Sequence, residues 1–306
     1  MSEKISGNLI IIGGAEDKEG DKEILKRVAK YIDSEKERLV IATIATEYPE
    51  KSYKKYKKVF EGLGIINIDN LDISRREDAF KLENVEIINN ANLLFFTGGD
   101  QLRITSMIGG TLVYDAIKEL CNRGGLIAGT SAGASVMSDT MIVQGEDDES
   151  PHKCTLKMSP GLGLVKNIII DQHFAQRGRI GRLLTAIAEN PEVLGIGIDE
   201  DTAIVVSDKG KAEVIGSGAV YFIDGSSIDY SNVSEQYSEE VLSIFNVKLH
   251  VLKEGNKFNL PTPTANEKYE MEGHYYTNSS YTEGEKEYNS EYTPSSSSSL
   301  YTYGIK

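Results

Sequence analysis

The sequence predicts an α/β fold built on a mostly parallel sheet with helices on both faces, and three observations carry that expectation. Short apolar runs alternate with longer segments whose apolar residues recur every three or four positions, through most of the 306 residues. The runs are apolar at consecutive positions, as strands buried on both faces require. The 29 glycines suit the many tight turns that join strand to helix.

In chain order, "NLIII" (8–12), "RLVIATI" (38–44), "NLLFF" (92–96) and "GLIAG" (125–129) read as buried strands. Between them "DKEILKRVAKYIDSEK", "EKSYKKYKKVFEGLG" and "TLVYDAIKELCNRGG" have the spacing of amphipathic helices. The alternation continues through "NIIID" (167–171), a helix in "IGRLLTAIAEN", and "VLGIGID" (193–199). Then "TAIVVS", "KAEVIG" and "AVYFID", joined by short polar connections, read as antiparallel hairpins at a sheet edge, and "FNVKLHVL" as a last strand. The ordered domain is expected to occupy residues 1–263. Residues 264–306 are rich in Tyr, Ser and Glu and nearly devoid of aliphatic side chains, so a disordered tail is expected there.

Composition narrows the class. Apolar residues make up 40% and charged residues 26%, which is ordinary for a soluble globular chain. Against 33 Lys and Arg stand 47 Asp and Glu, a net charge of −14, which argues against nucleic-acid binding. The acidity serves solubility first and would also suit a cationic or zwitterionic ligand. Cys121 and Cys154 are too few for a disulfide framework and read as free thiols in a reducing compartment. Nothing in the sequence has the length of a membrane span, and the first residues lack an apolar signal core, so a cytoplasmic protein without membrane contact is expected.

One stretch asks for an explanation: "GGLIAGTSAGASVM" (124–137) surrounds Ser131 with small residues. Gly129-Thr130-Ser131-Ala132-Gly133 fits G-x-S-x-G, with a strand before it and a helix after it, the context of a nucleophile elbow. A glycine-rich phosphate turn or plain close packing would use similar residues. At an elbow the Ala132 N–H would face a tetrahedral oxyanion, and a second donor is expected from "TGGDQ" (97–101), at Gly99 or Asp100.

A serine nucleophile needs a base and the base an orienting carboxylate. Of His152, His173, His250 and His274, only His173 lies at the carboxyl end of a buried strand, "NIIIDQHF", where parallel sheets gather reactive groups. For the carboxylate two residues compete: Glu149, in the acidic loop after the elbow, and Glu200, which closes "GIGIDE". Their neighbours Asp147 and Asp148 read as solvated loop charges. Around the histidine, "DQHFAQRGRIGR" gathers Arg177, Arg179 and Arg182, forks for carboxylates, while Asp171 could meet a cationic group. Ordinary surface arginines in a first helical turn are the plain alternative.

Taken together, "IIGGAED", "TGGDQ", "AGTSAGA" and "DQHFAQRGR" resemble the cyanophycinases, in the serine peptidase family that also contains the alpha-aspartyl dipeptidases. The likeness runs from about residue 7 to 260, with four motifs in the same order. It implies a three-layer α/β sandwich like class I glutamine amidotransferases (flavodoxin-like), with the nucleophile on an elbow. The implied activity is exopeptidase hydrolysis of cyanophycin, a polyaspartate carrying an arginine on each β-carboxyl, into β-Asp-Arg dipeptides. Each unit of that polymer exposes an α-carboxylate and a guanidinium. Ser131 then takes the part of nucleophile, His173 of base, and Glu149 or Glu200 of acid. Gln101, Asp171, Gln172, Arg177, Arg179 and Arg182 match the substrate pocket, no metal or organic cofactor is implied, and a homodimer is. Two other functions remain as alternatives: a dipeptidase for small aspartyl peptides, and a noncatalytic binding protein that would have no use for Ser131 and His173.

Overall fold

The apolar runs become strands in the computed structural model, which describes residues 8–33, 35–147, 150–152, 156–207, 210–235, 240–260 and 271–272. Five of them, β1 (Asn8–Ile12), β2 (Leu39–Ala42), β3 (Ile68–Leu71), β4 (Leu93–Phe96) and β5 (Leu126–Thr130), form a parallel block in the order β1-β5-β4-β2-β3. Strands β1, β2, β4 and β5 are buried on both faces, which is why their sequences are apolar without alternation. Strand β3, "IDNL", carries two polar residues at the sheet edge and has no such signature. The linking helices are α1 (Glu23–Ala29), α2 (Pro49–Gly62), α3 (Leu82–Asn89), α4 (Gln101–Ile108) and α5 (Leu112–Asn122). A four-residue helix, α6 (Ala132–Ser135), follows β5.

Beyond α6 a short two-stranded ribbon, β6 (Thr140–Gln144) with β7 (Lys157–Pro160), leads to β8 (Ile168–Gln172), α7 (Ile180–Glu189) and β9 (Leu194–Ile198). Strands β10 (Thr202–Val206) and β11 (Lys211–Gly216) form the expected antiparallel hairpin and extend the main sheet past β1. The next strand, β12 (Val220–Asp224), joins a different sheet. After it come a short pair, β13 (Tyr230–Ser231) with β14 (Ile244–Phe245), then β15 (Lys248–Leu252) and β16 (Lys257–Asn259).

The main correction concerns β8 and β9. They do not continue the large sheet but pair with each other and with β12 and β15 in a second sheet of order β15-β12-β9-β8. Packing explains it. On the main sheet, Ile10, Ile12, Ile41 and Phe95 face α1 and α2, whereas Leu9, Ile11, Val40, Leu94 and Phe96 face α4, α5 and the inner residues Ile168, Ile170, Ile196, Ile198 and Phe222 of the second sheet. The outer face of that sheet, with Ile169 and Ile223, is covered by Leu183, Ala186 and Ile187 of α7. The three-layer expectation therefore gains a second sheet and its covering helix on one side.

Contacts divide the chain at Gly273, and His274–Lys306 falls outside the described residues. So does nearly all of the stretch read as a tail. Within it, the backbone of β17 (Met271–Glu272) pairs antiparallel with β16. Among the described residues no helix is long and apolar enough to cross a membrane.

Candidate active site

The elbow forms as its composition demands. A Cβ on Gly129 would come within 2.3 Å of the Gly133 carbonyl oxygen, so strand and helix cross at a distance only glycine permits. Ser131, between them, has φ 54° and ψ −114°, a backbone conformation costing on the order of 1–3 kcal/mol for a residue with a Cβ. That twist turns its hydroxyl out over the carboxyl ends of the strands. Because α6 is only four residues long, its N-terminus offers individual N–H groups and not a long helix dipole.

The end of β1 sets the spacing of the site. Three consecutive carbonyls accept from three distant segments: Ile12 from the Ser131 N–H (3.0 Å), Gly13 from the His173 N–H (2.8 Å) and Gly14 from the Asp201 N–H (2.9 Å). The tripeptide thus indexes the elbow, the end of β8 and the turn after β9 against one another. Gly14 has φ 103°, and a Cβ there would lie 2.4 Å from His173 Cε1, so the imidazole occupies the space the missing side chain leaves.

The side chains meet accordingly. Ser131 Oγ lies 3.0 Å from His173 Nε2 and 3.3 Å from Gln172 Oε1. His173 Nδ1 lies 2.6 Å from Glu200 Oε1. Glu149 lies outside the described residues. Burial, the largest influence, pushes the His173 imidazole below its ordinary value; the Glu200 hydrogen bond opposes this and the charge of Arg177 adds to it. The imidazole is consequently held neutral, able to accept a proton from the hydroxyl.

Of the candidate oxyanion donors, the Asp100 N–H is committed to the Ala45 carbonyl at 2.9 Å. Its carboxylate caps α4 by accepting from the Leu102 N–H. Asp100 is thereby removed from the set. Among the described residues the N–H groups of Gly98, Gly99 and Ala132 meet no acceptor. Gly98, which the sequence reading passed over, lies against the serine: a Cβ on it would lie 3.3 Å from Ser131 Cβ.

The charged cluster differs most from expectation. Asp171 is buried, and its carboxylate accepts from Arg182 Nε (2.7 Å) and Nη2 (2.5 Å). Arg179, also buried, donates to the Gln172 carbonyl (2.7 Å) and to Asp147 (2.8 Å), which also accepts from Arg182 Nη1 (3.1 Å). Asp171, Arg179 and Arg182 thus satisfy one another beneath the site, and Asp147, though 41% exposed, is ion-paired with both arginines. Desolvation raises the Asp147 carboxyl, yet the arginines around it hold it below the usual range. Arg177 alone of the three arginines is exposed, and it remains close enough to influence His173. Gln101 donates to the Ile142 carbonyl at 2.9 Å, and Gln172 presents its side-chain oxygen to Ser131.

Two carboxylates went unnoticed in the sequence. Glu16, 2% exposed, accepts from Tyr56 Oη (2.6 Å) and Thr130 Oγ1 (2.5 Å) and pairs with Lys18 (2.9 Å), fixing the residue before Ser131. Burial, then Glu16, pushes the Tyr56 phenol well up. Asp199 accepts from the Ala175 and Ala219 N–H groups at 2.9 and 3.0 Å, tying the turn before Glu200 to the segment after His173. Both lie in polar loops where a buried carboxylate has no sequence signature. Among the described residues no group of three His, Cys, Asp or Glu side chains is placed to hold a metal ion.

A serine on a strand-to-helix elbow, in hydrogen-bond reach of a histidine that is itself held by a carboxylate, on a sheet of this kind, defines the class of α/β hydrolytic enzymes. The chain belongs to Peptidase family S51, whose family model matches residues 9–214. A cyanophycinase of Geminocystis herdmanii (strain PCC 6308) is 36% identical over 263 residues, 86% of this chain and 97% of that protein. One from Nostoc sp. (strain PCC 7120 / SAG 25.82 / UTEX 2576) is 37% identical over 253 residues, 82% and 85%. Among solved structures, a peptidase from an acI-B1 Actinobacterium superposes with a TM-score of 0.56 at 24% identity, covering 79% of this chain and 96% of that one. That likeness speaks to the fold.

Proposed function

We propose that this peptidase is a cyanophycinase, a serine-type exopeptidase that releases β-Asp-Arg dipeptides from cyanophycin through an acyl-enzyme. The observation that carries this reading is the continuous line from Ser131 Oγ through His173 to Glu200, with contacts of 3.0 and 2.6 Å. His173 Nε2 takes the hydroxyl proton as Oγ attacks the scissile carbonyl. Glu200 holds Nδ1–H and stabilises the imidazolium that forms. The Ala132 N–H, with that of Gly98 or Gly99, receives the oxyanion. His173 then protonates the departing amine, and water, deprotonated by the same imidazole, hydrolyses the ester. Arg177 meets a substrate carboxylate, and Gln101 and Gln172 line the approach. Asp171, Arg179 and Arg182 support this surface from beneath, and Asp147 closes their charges.

The test is hydrolysis of purified insoluble cyanophycin, followed as soluble β-Asp-Arg. Ser131→Ala should abolish release; turnover persisting at the wild-type rate would sink the nucleophile assignment. The small-peptide dipeptidase alternative gains no support, since the curated relatives described above are cyanophycinases.

The same proposal includes a class I glutamine amidotransferase-like (flavodoxin-like) arrangement, supported by the parallel block and the elbow at the end of β5. It also includes a catalytic unit within residues 1–263, supported by the family match ending inside it. A cytoplasmic homodimer completes it, resting on the cysteine usage and the family likeness.

A further inference from the structure

In a chain of net charge −14, one cleft of about 530 Å³ is lined by four lysines, Lys18, Lys22, Lys55 and Lys58, over a floor of Val59 and Leu63. It lies between α2 and the loop that follows β1. Helix α2 distributes its lysines unequally. Lys54 and Lys57 pair with Glu50 and Glu61 one turn away, at 3.5 and 3.7 Å. Lys55 and Lys58, three positions apart and so on one face, line the cleft, and among the described residues they meet no acid. From the facing loop, Lys22 Nζ donates to the Glu19 and Gly20 carbonyls at 3.0 and 3.2 Å, which fixes the ammonium without neutralising it. Lys18 is held by Glu16 at 2.9 Å. The acids nearby are Glu19, which lines the cleft, and Asp17, whose carboxylate is filled by the N–H groups of Glu19, Gly20 and Lys22 at 2.8–2.9 Å.

The cleft is coupled to the site by position. Lys18 follows Gly14, the residue against the His173 ring, by four positions, a span of roughly 14 Å at most. Its partner Glu16 accepts from Thr130, the neighbour of Ser131. The cleft therefore lies within reach of a polymer strand whose end is at Ser131. In cyanophycin each branch carries its α-carboxylate beside the amide linkage, near the strand, while the guanidinium hangs on a flexible stem that can turn to water or to Glu19. The exposed ammonium groups of Lys55 and Lys58, beside the held ones of Lys18 and Lys22 and an apolar floor, suit the carboxylates and the stems together.

We propose that this lysine cleft is a carboxylate-binding subsite that holds the uncut part of a cyanophycin strand beside the site of cleavage. The proposal rests on the cyanophycinase reading and concerns a separate surface, so the two can fail separately.

The experiment compares the full-length parent with Lys55→Glu/Lys58→Glu and with Lys54→Glu/Lys57→Glu, an equal charge change on the same helix outside the cleft. Two quantities are read: co-sedimentation of each protein, in the Ser131→Ala background, with insoluble cyanophycin, and the ratio of kcat/KM on the polymer to kcat/KM on a two-unit fragment. The cleft variant should bind the polymer about tenfold more weakly, with a matching fall in the ratio, and Lys55→Arg/Lys58→Arg should restore both. Equal losses in the two glutamate variants, or no loss in either, would overturn the subsite while leaving the peptidase assignment intact. A parent that neither binds nor cleaves cyanophycin would overturn both. Binding of inorganic polyphosphate at the cleft, with cyanophycin binding insensitive to Lys55 and Lys58, would replace the polymer by a phosphate ligand.

Discussion

At the scale of single residues, His173 is governed by opposing neighbours. Burial and Arg177 favour the neutral imidazole, and Glu200 favours the charged one. Since burial wins, the folded-state value lies below the ordinary histidine value, and neutral base persists further into acid. The acid limb of kcat/KM should accordingly fall below pH about 6.5. Arg177→Ala removes a cation that depresses the imidazole, so His173 should titrate higher and the acid limb move to higher pH. A pH–rate profile of the two proteins on a soluble fragment measures this, and a limb that stays in place or moves to lower pH speaks against the Arg177 contact. His173 was legible in the sequence because it ends a buried apolar run. The contact of Glu200 with it was not, since that depends on a turn after β9 folding back to the Gly14 carbonyl.

At the scale of elements, the end of β8 and the start of α7 are joined by charge as well as by apolar packing. Asp171 closes β8, Arg179 and Arg182 open α7, and the acidic loop contributes Asp147. Removing one partner of a buried ion pair leaves the other charge desolvated and unmet, at a cost of about 3–5 kcal/mol. Asp171→Ala should therefore lower the unfolding free energy by roughly that amount, read from the midpoint and slope of a urea titration. A loss of less than about 1 kcal/mol would mean that Asp147 alone satisfies both arginines. The sequence announced these residues as a mixed-sign site for a mixed-sign substrate. It could not reveal that the signs cancel internally, because residues 147 and 171 are brought together only by the fold. Strands β8 and β9 misled for a related reason: consecutive apolar residues report burial on both faces and say nothing about which sheet a strand joins.

At the scale of the whole molecule, β1, β2, β4 and β5 of the parallel block, helices α1, α2 and α5 and the elbow were legible, since each rests on local pattern, whereas the edge strand β3, with two polar residues in four, was not. The second sheet was not, because it depends on β12 and β15 returning from the far end of the chain to pair beside β9. A chain ending at Gly273, where the contacts divide, should keep its melting temperature within about 2 °C and its activity on short fragments. Differential scanning calorimetry and a fragment assay check both, and a large fall in either would assign the last residues to the catalytic unit. The three carbonyls of Ile12, Gly13 and Gly14 have a consequence in time as well as in space. Ser131, His173 and the turn of Glu200 are synthesised long after β1, yet each takes its place by hydrogen bonding to it. Recovery of catalysis during refolding is then a clock for the docking of the N-terminal strand, and it should lag the return of helical signal.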